Sequence, residues 1–405
     1  MKILILTNMY PNPTASHSGI QIHQIVQELQ KNGYEFRVIF TVPCPPFPFN
    51  LINKWNHFSR AFPQHYEIDD VQIDFLRYYT SHKLIPLRNL GTTLLFTLGR
   101  KLRNIIGAFK PDLIWTQPAL PNGWAAMKFH HKFKLPYIIT VHGADINESI
   151  KLSGAAQKMR IIYENASSVI TISQRLDREV KKIAPIARRR LVYFGIDPDS
   201  IKEAAELRLQ HLLKSNPDRP LRILSVSNLI ETKGLQYNIQ AMNSLLKKHH
   251  NIEYNVIGEG NYGSELKRLT TNLGLDQYIH FRGRLSHSEV MKEMAIADIF
   301  SLPSYAEGLG MVYLESMALR VPAVGVEGQG IEDVIVNGEN GFLVKSQNAA
   351  DLTMVLDKLL NEAERRSTIG ERARQHIAQN FTWDATIRQY DEIFKAAISD
   401  RANQT

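Results

Sequence analysis

The sequence predicts an α/β protein made of two doubly wound parallel-sheet domains in tandem. Three observations carry that expectation. Strand-length apolar runs alternate with helical patterns, as expected of a parallel sheet covered by helices. The alternation starts over in the second half of the chain. A length of 405 residues exceeds what one hydrophobic core ordinarily organises, which favours two domains of about 200 residues each.

In the first half, Lys2 to Thr7 (KILILT) is a near-continuous apolar strand, and the loop Asn8 to Ser18 after it holds two prolines. Gly19 opens a helical pattern through Ile22, Ile25, Val26 and Leu29, which closes at Asn32-Gly33 with the expected C-terminal glycine. Phe36 to Phe40 is the next strand, so this unit begins a doubly wound sheet. Ser18-Gly19 stands where a dinucleotide fingerprint wants several glycines, which argues against NAD. Thr41 to Asn50 (TVPCPPFPFN) carries too many prolines for regular secondary structure. From Leu84 to Lys110 apolar runs alternate with basic residues, among them Arg100, Lys101 and Arg103. Two readings stand side by side: an apolar face edged by cations lying on an anionic membrane, or a core helix with a solvated basic face. Asp112 to Thr116 and Tyr137 to Val141 are further strands. The second ends at His142, where open α/β sheets bind ligands, although a lone histidine is often structural. Val169 to Ile172 is a strand, Ser173 caps a charged helix, and Leu191 to Phe194 closes this half. Gly195 to Ser200 (GIDPDS) is the expected linker, dividing a domain 1–195 from a domain 196–380, with a helix in 381–405 packing back on the first.

The second half repeats the layout. Leu221 to Val226 is a strand whose loop leads into Lys233-Gly234, and a helix runs from Leu235 to about His249. Tyr254 to Ile257 ends in Gly258-Glu259-Gly260, and Ile279 to Arg282 runs into Gly283-Arg284-Leu285. Ser286 and Glu289 form a capping box for the next helix. Ala297 to Leu302 and Ala323 to Val326 are buried strands, and Val334 to Val344 reads as a turn and strand. Two helical patterns follow from Ala349, interrupted at Phe381-Thr382-Trp383. Such domains are expected to leave a cleft between their strand ends, faced by the glycine loops of both.

Composition is that of a globular protein, 44% hydrophobic and 22% charged. The single cysteine, Cys44, excludes an intrachain disulfide and fits a reducing compartment. No signal-peptide pattern or apolar span of about 20 residues occurs, so a cytoplasmic protein is expected. The net charge of +8 is unevenly spread: residues 1–195 hold 25 Lys/Arg against 12 Asp/Glu, and the remainder 23 against 28. Residues 77–134 carry ten basic residues and one acid, Asp112. An anionic partner is implied for this half. With no nucleic-acid motif present, an anionic membrane surface on the inner face of the cytoplasmic membrane, or an acidic acceptor, is the expected partner.

The chemistry concentrates in Pro303 to Ala318 (PSYAEGLGMVYLESMA). A buried strand feeds a turn with Gly308 and Gly310 flanking Leu309, and a helical pattern follows from Met311 through Val312, Leu314, Met317 and Ala318. A glycine turn at a helix start presents unpaired N–H groups and a positive dipole end, a site for phosphate. Glu307 and Glu315 flank it and would repel a bare phosphate but accept hydrogen bonds from hydroxyls. A nucleotide sugar carries both groups. The plain alternative is an ordinary strand–turn–helix with surface glutamates.

These residues resemble the retaining glycosyltransferases of family 4, which have the GT-B fold. The likeness covers nearly the whole chain and is strongest from Leu224 to Val344. It rests on the Glu-x7-Glu element Glu307 to Glu315 with Gly308, Gly310 and Leu314, on Gly330 with Glu332, and on Asn337-Gly338 with Asn340-Gly341. The resemblance implies a two-domain GT-B enzyme that transfers a sugar from a UDP- or GDP-sugar to a hydroxyl of a lipid-linked or polysaccharide precursor. It implies that Glu315 holds the ribose, Glu307 a hydroxyl of the donor sugar, and Lys233 the diphosphate, with backbone amides from Gly310 to Val312. It places His142 at the donor sugar, Gly283, Arg284 and Leu285 near the base, and Gly19 near the phosphates. The sequence departs from the pattern twice: Asn228 stands where many members have arginine, and Ser18 where many have the first of two glycines.

The expected mechanism is retaining transfer without a covalent enzyme intermediate and without a cofactor or divalent metal, since Lys233 and the helix amides take the leaving diphosphate charge. A two-carboxylate glycosidase mechanism is disfavoured because both glutamates flank a phosphate turn. The alternatives of other kinds are a nucleotide-sugar 2-epimerase of the same fold and a catalytically silent binding subunit.

Overall fold

The structure is a computed structural model that describes residues 1–15, 18–52, 59–80, 89–147, 154–214 and 218–402. It divides into two compact units, Met1–Tyr193 with Thr386–Thr405, and Phe194–Ala385.

Unit 1 is built on an eight-stranded sheet. Its strands are β1 (Lys2–Thr7), β2 (Glu35–Cys44), β3 (His65–Ile68), β4 (Val71–Tyr79), β5 (Leu113–Gln117), β6 (Tyr137–Val141), β7 (Ser168–Thr171) and β8 (Arg189–Leu191). They lie in the order β3-β4-β2-β1-β5-β6-β7-β8. Only the β3–β4 pairing is antiparallel among the described residues. β5, β6 and β7 are buried at every residue, which is why each reads as an unbroken apolar run rather than an alternation.

Three features differ from the sequence reading or were absent from it. Thr41 to Cys44 does not break the sheet; it continues β2 in register with β4, Pro43 lying opposite Tyr78. β1 pairs with β2 only as far as Phe40, so beyond that point β2 has a neighbour on one side and tolerates a residue without an N–H. The β3–β4 hairpin was not anticipated. Its turn residues Asp69 and Asp70 both take positive φ, a conformation that Asp-Asp advertises less clearly than Asn-Gly. The segment 84–110 becomes a core helix, Leu90–Phe109, while residues 81–88 lie outside the described residues. Leu94, Leu98, Leu102 and Ile106, four apart, are buried, and the helix packs on β4 and on the helix Trp124–Phe133. The apolar stripe is therefore spent inside the protein. Arg100, Lys101 and Arg103 face solvent with Phe96, so the basic face is what remains for a partner.

The final helix, Trp383–Ala402, adds Tyr390 and Phe394 to the core of unit 1. Both rings lie against Trp115 of β5, at centroid distances of 5.3 and 5.4 Å. Trp115 is itself fixed by its Nε1–H, which donates to Thr140 Oγ1 at 2.9 Å.

Unit 2 holds a six-stranded sheet, all parallel, in the order β11-β10-β9-β12-β13-β14. The strands are β9 (Leu221–Val226), β10 (Ile252–Ile257), β11 (Ile279–Gly283), β12 (Ile299–Ser301), β13 (Ala323–Val326) and β14 (Phe342–Val344). The expected capping box forms, Ser286 and Glu289 each bonding the other's backbone N–H at the start of the helix His287–Ala295. Gly195-Ile196 lies beside Phe381-Thr382: Ile196 N donates to Phe381 O at 2.9 Å, and a Cβ on Gly195 would come within 2.2 Å of the Thr382 carbonyl carbon. The presumed linker is thus pinned where the chain leaves and re-enters unit 1.

Because Phe394 is fully buried, Phe394→Ala is expected to cost about 3–5 kcal/mol of stability. Chemical denaturation followed by the fluorescence of the adjacent Trp115 measures it.

Candidate functional site

In unit 2 the strand order reverses between β9 and β12, and open α/β sheets bind ligands outside the carboxyl ends of the strands at such a point. The two loops that leave those ends carry the expected residues. After β9 the chain passes Asn228, exposed at its tip, and makes one turn at Glu231–Lys233 before the helix Leu235–Leu245. After β12 it runs through Ser304 to Gly310 into the helix Met311–Ala318.

Backbone contacts bind these loops together. Gly234 has φ +73°, and a Cβ there would sit 2.0 Å from the Pro303 carbonyl oxygen. Tyr305 N donates to Thr232 O at 3.0 Å. On the other side, a Cβ on Gly330 would lie 1.7 Å from the Gly308 carbonyl oxygen, and Glu307 N donates to Gln329 Oε1 at 3.1 Å. Beneath the loops, the Asn238 amide bonds Ser225, Tyr254 and Ser301 at 3.0–3.1 Å, joining β9, β10 and β12 to the helix that follows Lys233.

This scaffold brings Lys233 to Glu307. Their Nζ and Oε2 are 2.6 Å apart, and the side chains are only 18% and 13% exposed. Glu307 also folds over the glycine turn, since a Cβ on Gly310 would be 3.1 Å from its Cγ. Gly308 and Leu309 are buried, and Gly310 caps the helix with no side-chain hydrogen bond. The first N–H groups of that helix, from Met311 and Val312, are the ones an α-helix leaves without an internal partner. A cation, a carboxylate and helix-start amides thus meet at the switch point. Tyr313 locks the turn from below, its hydroxyl donating to the Leu302 carbonyl and its ring edge-on to Phe300. Met317 and Leu314 are buried as expected, and Val312 is half-buried.

Glu315 has a different partner. His287 Nε2 lies 3.0 Å from its Oε1, and that hydrogen bond raises the pKa of His287 above its ordinary value. Gly283 closes β11, Leu285 is half-buried and Arg284 is exposed. Arg284 stands 3.9 Å from the exposed Glu259, a contact worth little in water.

Two predicted residues belong to unit 1, each on a loop leaving the carboxyl end of a strand. Gly19 caps the helix Ile20–Lys31 at φ +64°, with its α-carbon so close to Met9 that a Cβ would be 2.4 Å from the Met9 carbonyl oxygen. His142 follows β6, and its Nε2 meets Gln117 Oε1 at the end of β5 at 2.9 Å. Burial lowers the pKa of His142 to about 4, so its imidazole is neutral at pH 7.

His287, Gln329, Tyr313 and the Asn238 network were not found from sequence. The sequence marks Gly330 together with Glu332, but its place under Gly308 is a fact of tertiary structure. Among the described residues no cluster of three or more His, Cys, Asp or Glu is arranged to hold a metal ion.

Two family profiles match the chain: Glycosyltransferase Family 4 over residues 18–200 and Glycosyl transferases group 1 over residues 212–376. The chain belongs to the family 4 glycosyltransferases and is a glycosyltransferase enzyme of GT-B fold, with two Rossmann-like domains. It is 27% identical over 98% of its length, and 100% of the relative's, to a Bacillus subtilis (strain 168) protein provisionally named teichuronic acid biosynthesis glycosyltransferase TuaC. It is 25% identical over 71% of its length, and 77% of the relative's, to the GDP-mannose-dependent alpha-(1-6)-phosphatidylinositol monomannoside mannosyltransferase of Mycolicibacterium smegmatis. In fold it is similar to Anabaena Alr3699/HepE, solved in complex with UDP and glucose, with a TM-score of 0.72, 18% identity, and coverage of 98% and 100% of the two chains.

Opposite titrations are expected for the two histidines. A raised pKa means that the His287–Glu315 contact stabilises the fold fully below the unfolded value of 6.5 and is lost as pH rises through the folded value. The lowered pKa of His142 means that stability falls as pH drops from 6.5 towards about 4, because the unfolded chain then binds the extra proton. NMR titration of the imidazoles should give a midpoint above 6.5 for His287 and about 4 for His142; Glu315→Gln should bring the first down and leave the second unmoved.

Proposed function

We propose that this enzyme is a retaining glycosyltransferase that moves a sugar from a UDP- or GDP-sugar to a hydroxyl of a cell-envelope glycan or lipid-linked precursor. The observation that carries the donor assignment is the Lys233–Glu307 pair, 2.6 Å apart at an uncapped helix start. A diphosphate entering there takes the ammonium and the free amides, and Glu307, released from Lys233, accepts a hydroxyl of the sugar. Glu315 holds the ribose, and His287 keeps its carboxylate oriented. Gly283, Arg284 and Leu285 flank the base. His142, neutral at pH 7, is the proposed donor-sugar contact of unit 1, and Gly19 a backbone contact to the phosphates. The names of the relatives support the substrate classes: a teichuronic acid pathway and a phosphatidylinositol mannoside for the acceptor, GDP-mannose or UDP with glucose for the donor.

In the proposed reaction the bond from the anomeric carbon to the diphosphate breaks, and its electrons go to the diphosphate oxygen. The acceptor hydroxyl adds to the same face, and its proton passes to a diphosphate oxygen. Lys233 and the amides of Met311 and Val312 stabilise the charge as it forms. That arrangement supplies electrostatic stabilisation from protein groups, so we propose that no divalent metal and no cofactor is needed. Asn228, in the place of an arginine, supplies no second cation from that loop.

Screening UDP- and GDP-sugars for thermal stabilisation, then assaying transfer with the donor so found, tests the reading. Lys233→Ala and Glu307→Gln are expected to lower kcat by roughly 100- to 1000-fold with the circular dichroism unchanged, and EDTA should leave the rate as it was. Full activity in both variants would sink the assignment; epimerised donor formed without acceptor would replace transfer by isomerisation.

We also propose peripheral attachment to an anionic membrane through residues 77–134. Its support is the exposed basic face of the helix Leu90–Phe109 with Phe96, which is 89% exposed. No helix among the described residues is long and apolar enough to cross a membrane. Binding to phosphatidylglycerol vesicles should be measurable at low salt and fade as salt rises. Arg100→Glu with Lys101→Glu should abolish it, and equal binding by that variant would remove the proposal.

A further inference from the structure

A cation-rich cavity lies in unit 2 at the opposite end of the sheet from Lys233 and Glu307. It has a volume of about 780 Å³ and is lined at the amino ends of β9 and β10 by Leu221 and Ile252. Around it stand four arginines, Arg208, Arg219, Arg320 and Arg366, with His211, His249 and His250, against two carboxylates, Asp298 and Glu371. Its size is that of a small-molecule site.

Part of this charge has a structural purpose. Arg208, which is 4% exposed, donates to the carbonyls of Ala295, Ala297 and Arg320 at 3.3, 2.7 and 3.1 Å. Arg366 donates to those of Leu359 and Leu360 at 2.6 and 2.9 Å. These are carbonyls at or just beyond helix C-termini, which cations satisfy. Arg219 grips Asp298 with two bonds of 2.7 Å.

The structural bonds leave donors over. Among the described residues Arg320 gives only Nε, to Glu371 at 2.6 Å, and Arg366 only Nη1. Among the same residues Arg208 Nε and His211 Nε2 are buried with no hydrogen-bond partner, although a buried polar group ordinarily finds one. The cations also oppose one another. Burial, with repulsion from Arg219, Arg320 and Arg366 and partial relief from Asp298, lowers the pKa of Arg208 to about 10. Burial and then Arg219 and Arg208 lower that of His211.

We infer that this cavity is a binding site for a small phosphorylated anion, separate from the donor loops. Arg320, Arg366 and His250 bind its phosphoryl oxygens, and Leu212 and Ile252 line the wall for any organic body. The ligand is a free polyphosphate or the phosphoryl end of a metabolite such as a hexose phosphate; both present the same oxygens to the guanidiniums.

Ser367, an exposed residue of the lining, allows a test that removes no existing bond. Isothermal titration of the full chain with inorganic pyrophosphate and with a hexose phosphate should show, besides any diphosphate taken by the donor loops, a binding event that weakens at least tenfold in Ser367→Glu. The event should persist in Ser367→Gln and in Lys233→Ala, which disables the donor loops instead. Tighter binding of the hexose phosphate assigns the natural ligand to metabolites, and tighter pyrophosphate binding to free polyphosphate. The inference is overturned by an absence of binding, by loss in Lys233→Ala with none in Ser367→Glu, or by binding only at tens of millimolar that sulfate matches.

Discussion

Unit 2 depends on backbone packed against backbone where its strands end. Gly234 lies on the Pro303 carbonyl and Gly330 on that of Gly308, at distances that leave no room for a Cβ. The loops after β9, β12 and β13 are thereby held against one another. Side chains carried on loops are usually the least constrained in a fold. Here the loops are clamped at their backbones, so Lys233 and Glu307 meet in a part-buried ion pair without any strand or helix carrying both.

That pair sets the electrostatics of the site. Removing two charges from water is costly, and a part-buried pair is sound only while each has its partner. In the proposed function a diphosphate in reach of Lys233 would replace one anionic partner by another, and sugar hydroxyls would donate to the carboxylate it displaces. Glu315 is spared this exchange because His287 already holds it. The two glutamates, alike in sequence and eight residues apart, are thus given different roles by what faces them.

Much of this was legible in the sequence. Buried parallel strands write themselves as apolar runs, and a glycine turn before a helix is a backbone signal that survives without tertiary information. Glu307, Gly308 and Gly310 could therefore be named from the turn itself, and Lys233 from the family resemblance. Partners set by folding could not: nothing near Glu315 in sequence points to His287, and Gln329 reaches Glu307 from the loop after another strand. The reading of 84–110 left two outcomes open because periodicity shows that a helix has an apolar stripe but not what covers it. Leu94, Leu98, Leu102 and Ile106 went to the core. Thr41 to Cys44 misled because proline excludes a residue from a ladder only where a neighbour needs its N–H, and β1 ends at Thr7, opposite Phe40.

The lysine site and the arginine-lined cavity of unit 2 follow from one asymmetry of parallel α/β structure. Helices that return the chain between parallel strands all point the same way, so their N-termini gather at the carboxyl edge of the sheet and their C-termini at the amino edge. At the carboxyl edge free amides already attract an anion, and one lysine held in check by Glu307 suffices. At the amino edge the exposed groups are carbonyls, and arginines must neutralise them. Arg208 and Arg366 do so, and a guanidinium carries more donors than the carbonyls require. Capping helix C-termini with arginine therefore leaves unspent N–H groups around a cavity as a by-product. The amino edge of this domain is positively charged for a structural reason first, and two of the three groups of an anion site there, Arg320 and Arg366, are ones the fold has already recruited.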